Sequence, residues 1–131
     1  MEKLKFLTSD SFQKIKELGT RLPALPGADL RIQYLVKDVP ERGEVRYALI
    51  IEQGRIVDVV EGVIDDPSFD VTMAYDVSVR IHRLELAPPE AAAAGLVTVG
   101  GDTSKLPLMM NVVGRPEYQA MVKELAGVTE F

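Results

Sequence analysis

Apolar positions change period several times along this chain, and each change predicts a change of structure. Over residues 9–22, Phe12, Ile15, Leu18 and Leu22 recur near helical spacing, so one helix would gather them on a single stripe. Ser9, Asp10 and Ser11 offer oxygens to cap its start, and Gly19 weakens its end. Residues 22–27, LPALPG, break the pattern and predict a loop. The period then drops to two. Leu30, Ile32, Tyr34 and Val36 alternate with polar neighbours, and after a turn around Pro40 the alternation returns with Val45, Tyr47, Leu49 and Ile51. Gln53 and Gly54 make a tight connection into a third strand over 55–60, which predicts an antiparallel meander. Ile50 and Val57 fall on the opposite face, so part of that face should also be covered.

Residues 62–68, with Asp65, Asp66 and Pro67, read as a turn, and Phe69, Val71 and Met73 as a fourth strand. The next segment, DVSVRIHRLEL over 76–86, satisfies both periods. Val77, Val79 and Ile81 alternate, whereas Val77, Ile81 and Leu84 have helical spacing; a capping Asp76 and an exposed Arg80 and Arg83 favour a helix. The alanine-rich run before Gly95 predicts a short helix, then a strand with Val97 and Val99 on one face and a turn at Gly100, Gly101 and Asp102. Two helices close the chain. In the first, Ser104 is the expected N-cap, Pro107 falls in the first turn, Leu106, Met109, Met110 and Val113 form the stripe, and Gly114 ends it. The second, over 116–126, carries Tyr118, Met121, Val122 and Leu125 and stops at Gly127.

A chain of 131 residues suits one domain with one core, and 47% hydrophobic with 27% charged residues is the balance of a globular protein. No run reaches the roughly 20 apolar residues of a membrane-spanning helix. The N-terminus lacks the apolar segment of a signal peptide and the terminal VTEF is not a peroxisomal address, so the expected location is cytoplasmic. A net charge of −5 without a basic cluster disfavours nucleic acid as a partner.

With no cysteine and a single histidine, His82, thiol chemistry is excluded and little is left from which to build a metal site. Asp65 and Asp66 could hold a hard cation, but Asp-Asp-Pro between strands is ordinary turn chemistry. Asp76, Ser78, His82 and Glu85 include the residue types of a catalytic triad, although neighbours on one helix rarely reach its geometry. In GLVTVGGDTSK, Gly95 and Gly100 have the spacing of a phosphate loop, but Gly101 and Asp102 stand where that loop needs Lys and Ser or Thr. The methionine-rich helices remain. Their unbranched side chains adapt to irregular apolar shapes, and the pattern alone leaves core packing and a ligand pocket both open.

The segment DPSFDVTMAYDVSVRIHRLELAPPEAAAAGLVTVGGDTSKL, residues 66–106, resembles the sterol carrier protein 2 (SCP-2) family of lipid-binding domains. The likeness rests on Gly95, an apolar alternation through Val97 and Val99, and the Gly101-Asp102 pair before the closing helix; the N-terminal half agrees in element order only. It implies an α+β fold, a mixed, mainly antiparallel five-stranded sheet with helices on one face enclosing an apolar tunnel, over a single domain of residues 1–131. It further implies non-catalytic binding or carriage of a fatty acid, fatty acyl-CoA or sterol-like lipid, with no cofactor. Val77, Ile81, Leu108, Met109, Met110, Val113, Met121 and Leu125 would line the tunnel, and Lys105, Arg115 and Lys123 are the nearest cations for an anionic head group. Family members often carry Lys where this chain has Leu96 and Thr98. Two other readings stand beside this one. The first is a small pocket enzyme using Tyr75, Asp76 or His82; the second is an interaction module, paired in a homodimer or with an enzyme of lipid or quinone metabolism.

Overall fold

In a computed structural model, the backbone is described for residues 4–101 and 103–130, and side chains for these except Leu4, Pro88, Pro89, Thr103, Leu106, Val113 and Glu130. Asp102 and the side chains of Leu106 and Val113, all singled out above, lie outside the described residues. The elements in order are β1 (Leu4–Lys5), α1 (Ser9–Gly19), β2 (Leu30–Val39), β3 (Gly43–Glu52), β4 (Arg55–Glu61), β5 (Phe69–Ala74), α2 (Tyr75–His82), α3 (Pro88–Ala93), β6 (Val97–Gly101), a 3-10 turn (Thr103–Lys105), α4 (Leu106–Val113), α5 (Pro116–Gly127) and β7 (Thr129–Glu130).

Five strands form one sheet in the order β4-β3-β2-β5-β6. β2-β3, β3-β4 and β5-β6 are antiparallel and β2-β5 is parallel, so the sheet is mixed and mainly antiparallel as expected. The register builds one continuous apolar face. Ile32, Tyr34 and Val36 of β2 stand opposite Leu49, Tyr47 and Val45 on one side and Phe69, Val71 and Met73 on the other. Val71 and Met73 in turn meet Val99 and Val97.

Helix α1 covers the β4 side of this face. Its N-cap is Thr8, one residue earlier than expected, because Thr8 and Ser11 cap each other: the Ser11 N–H donates to Thr8 Oγ1 and the Thr8 N–H donates to Ser11 Oγ at 3.0 Å. It ends at Gly19 rather than 22, though Leu22 is still buried. Gly19 does more than weaken that end. A Cβ there would lie 2.4 Å from Ile56 Cβ, so the missing side chain is what lets α1 lie closely on β4. Gly19→Ala should therefore destabilise the fold by about 2 kcal/mol through overpacking, read as a lower denaturation midpoint with an unchanged slope.

The opposite face carries the crossover from β4 to β5, residues 62–68, pinned by the buried Gln33. Gln33 Nε2 donates to the carbonyls of Gly62 (2.9 Å) and Tyr47 (3.1 Å), and its Oε1 accepts from the Ile64 N–H at 2.8 Å. Gln33→Ala should cost about 2 kcal/mol of stability and raise hydrogen exchange at Ile64.

Four expectations need correction. Helix α2 stops at His82, not residue 86, because Leu84 turns to a left-handed φ of 62°. Gly100 and Gly101 are strand residues opposite Asp70 and Phe69, so the turn begins after them; Gly101, with φ +94°, has no room for a Cβ, which would sit 2.8 Å from Phe69 Cα. Ser104 lies inside the 3-10 turn and Lys105 takes the N-cap position of α4, although Pro107 does fall in the first turn. Finally, α5 runs to Gly127 and is followed by β7, which pairs in parallel with β1, Leu4 opposite Thr129; strands of two residues have no readable period.

Candidate functional site

The candidate site lies where α2, α4 and α5 face the apolar side of the sheet. Val77, Met109, Met121 and Leu125 are buried in the core, Ile81 and Leu108 pack against it half-buried, and Met110 is half-buried without joining that cluster. Val113 belongs to α4 by its backbone. The helices differ in how they rest on the sheet. α1 lies directly on β4, and α2 on β2 and β5, whereas the principal contacts of α5 are with α1, α2, α4 and β7, and those of α4 with the 3-10 turn and α5.

Three tyrosines converge beneath α5. Tyr34 and Tyr47 are cross-strand partners whose rings stack at 4.9 Å and 11°, and Phe12 of α1 lies 4.9 Å from Tyr47. Tyr118 of α5 is close enough to both phenols to disfavour their ionisation. Burial pushes Tyr34 and Tyr47 well above the usual phenol range. It pushes Tyr118 up to about 12, with the Arg115 guanidinium opposing. All three stay neutral and give the interior polar atoms without charge. The strand alternation put Tyr34 and Tyr47 on the apolar face and the α5 stripe included Tyr118. What it lacked was the register, which alone shows that they meet.

A second polar feature lies on α2. Ser78 is 1% exposed and its Oγ has no hydrogen-bond partner; the Nδ1 of His82, one turn later, is also buried and unpartnered. The His82 ring meets Phe6 edge-on at 4.7 Å, and Phe6 reaches Tyr75 at 6.0 Å. Burial alone lowers the His82 pKa to about 4. The elements of a proton relay are not assembled: Ser78 and His82 are not bonded to each other, and Asp76 is exposed, its Oδ1 accepting from the Val77 N–H.

Of the three cations, Arg115 is committed to the fold. It donates through Nη1 to the Pro23 carbonyl (2.8 Å), through Nη2 to that of Gly54 (2.6 Å) and through Nε to that of Val112 (3.3 Å). Lys123 is exposed on α5. Lys105 borders an open groove of about 700 Å³ with Arg31, Ile50, Arg55 and Val57. A similar groove of about 750 Å³ runs between α1 and β4, and neither is lined by α2, α4 or α5. Among the described residues, no three His, Asp or Glu side chains stand close enough to share a metal ion, and no helix is long and apolar enough to cross a membrane.

This mixed sheet, with its apolar face beneath helices from both ends of the chain, defines an SCP-2-like α+β fold. The chain superposes on the solution structure of palmitated SCP2L2 from Aedes aegypti with a TM-score of 0.63 and 21% identity, covering 82% of this chain and 96% of that one. It also matches a conserved hypothetical protein of Thermus thermophilus, described as possibly a sterol carrier protein (TM-score 0.68, 14% identity, 96% and 93% covered). A crystal structure of sterol carrier protein 2 matches at 0.62 with 18% identity, covering 95% and 96%. No family model and no curated protein matches the chain. At these identities the likeness establishes the fold.

Proposed function

We propose that residues 1–131 form one domain that binds or carries a lipid or other apolar ligand without transforming it, whether a fatty acid, fatty acyl-CoA or sterol-like molecule, in the cytoplasm. The ligand lies between the sheet and α2, α4 and α5, against the apolar residues named for those helices. The observation that carries this reading is the layering. α4 and α5 make their main contacts with other helices and rest over the apolar face through side chains such as Met109, Tyr118, Met121 and Leu125. Unbranched thioethers repack at little cost, so an acyl chain can replace these contacts with contacts of its own. Each buried methylene contributes roughly 0.8 kcal/mol. The palmitated form of the Aedes protein supports an acyl ligand for this architecture.

Native mass spectrometry of freshly purified protein, followed by organic extraction, tests the reading. A co-purifying lipid is expected, or failing that, binding of offered C10–C16 chains with affinity rising about fourfold per methylene. Met109→Asp should abolish binding; Leu125→Trp, which adds bulk without charge, should weaken it even if the aspartate variant does not fold. A protein that ignores every chain length would end the proposal.

A further inference from the structure

We propose that Ser78 and His82 form the polar end of the ligand site and receive an uncharged alcohol hydroxyl, straight-chain or sterol-like, in preference to an ionised carboxylate. The inference rests on the lipid-binding reading above and narrows its ligand class. Positions 78 and 82 are separated by one helical turn, so their side chains stand one above the other on the same face of α2. A serine inside a helix ordinarily turns its hydroxyl to solvent or bonds back to the carbonyl four residues earlier. Ser78 does neither: it is 1% exposed and its Oγ is unpaired. His82 Nδ1 is likewise buried and unpaired, and the edge-on contact with Phe6 holds the ring in place. Folded proteins leave few buried polar atoms without partners, and two on successive turns of one helix call for a common one.

The chemistry of the pair limits that partner. Neutral imidazole with its proton on Nε2 presents Nδ1 as an acceptor, and a serine hydroxyl can donate. An alcohol satisfies both at once, its hydrogen going to Nδ1 and its oxygen accepting from Ser78. A carboxylate would only accept, and among the described residues the cations of this segment do not offset its charge. The arginines of this segment, Arg80 and Arg83, are exposed, and Arg83 pairs with Glu85 at 3.4 Å. The ring packs against Phe6, itself in contact with Tyr75, and burial already disfavours charge on His82.

The experiment compares tetradecan-1-ol, tetradecanoate and methyl tetradecanoate on the full chain at pH 8. The alcohol should bind at least tenfold more tightly than the ionised acid. Ser78→Ala and His82→Phe should each weaken the alcohol about tenfold while leaving the methyl ester within twofold. The Ala variant is a good helix former and keeps the test open if His82→Phe fails to fold. Nitrogen NMR of the wild-type protein should show the His82 Nδ1 resonance moving with the alcohol and not with the ester. If all three probes bind alike, or the variants weaken all three equally, this site falls and the lipid-binding reading stands. If the resonance is unmoved because a fixed water already occupies the pair, the site falls as well. If no probe binds, both fall.

Discussion

Between pH 6.5 and about 4 the fold should lose about 2–3 kcal/mol through His82 alone. The sign follows from burial. In the unfolded chain the imidazole takes up a proton below pH 6.5; in the folded chain, desolvation delays this to about 4. Across that window the unfolded state binds more protons, so this contribution to stability is intact above pH 6.5, falls as the pH falls, and stops changing below about 4. Among the described residues, no neighbouring charge opposes the effect of burial. Nδ1 has no partner, Phe6 presents an aromatic edge, Asp76 is exposed and Glu85 pairs with Arg83. Urea denaturation of the wild type and His82→Phe at pH 7.5, 6, 5 and 4.5 isolates the histidine from the carboxylates that titrate in both. The wild type should lose stability relative to the variant with each step toward acid. Parallel curves would mean that His82 ionises as freely in the fold as in the unfolded chain.

This orphaned histidine also shows where reading the chain by periodicity reaches its limit. Period-two alternation between Leu30 and Val60 marks the meander correctly, because one face of an antiparallel pair is buried and its partner strands are close in sequence. The pairing of β2 with β5 is parallel and is reached by a crossover pinned by Gln33, which alternation shows only as one more polar position. The helix over 75–82 is ambiguous by period and is settled by the family resemblance, which also anticipates the five-stranded sheet. Local capping is only partly legible: Thr8 takes the place expected of Ser9 and Lys105 that expected of Ser104, while Asp76, expected to cap α2, lies inside its first turn and the N-cap is Ala74, with no side-chain bond. The candidate site is less legible. Methionines and leucines at helical spacing announce an apolar stripe, but whether Ser78 finds a hydrogen bond, or Tyr118 meets Tyr34 and Tyr47, depends on contacts across the fold. Arg115 reads as a surface cation because its partners are 61 and 92 positions away.

Those distant partners make Arg115→Ala the substitution with the largest expected loss, about 3 kcal/mol. Arg115 stands between α4 and α5, and its guanidinium ties that junction to Pro23 in the loop after α1 and to Gly54 in the β3-β4 hairpin. A planar fork can reach three carbonyls at once, whereas a lysine ammonium at the same place cannot span them, so Arg115→Lys should recover less than half of the loss. Hydrogen exchange should rise along α4 and α5 more than along α1, because the C-terminal pair has few other ties to the sheet. The Tyr118 phenol should become still harder to ionise, since the guanidinium is what now opposes the effect of burial on it. The same variants separate this role from head-group binding. A cation serving an anionic ligand would keep its function as lysine and leave stability nearly unchanged on removal. A junction tie would do the reverse, and, if the proposed lipid lies beneath α4 and α5, its loss would also speed that ligand's release.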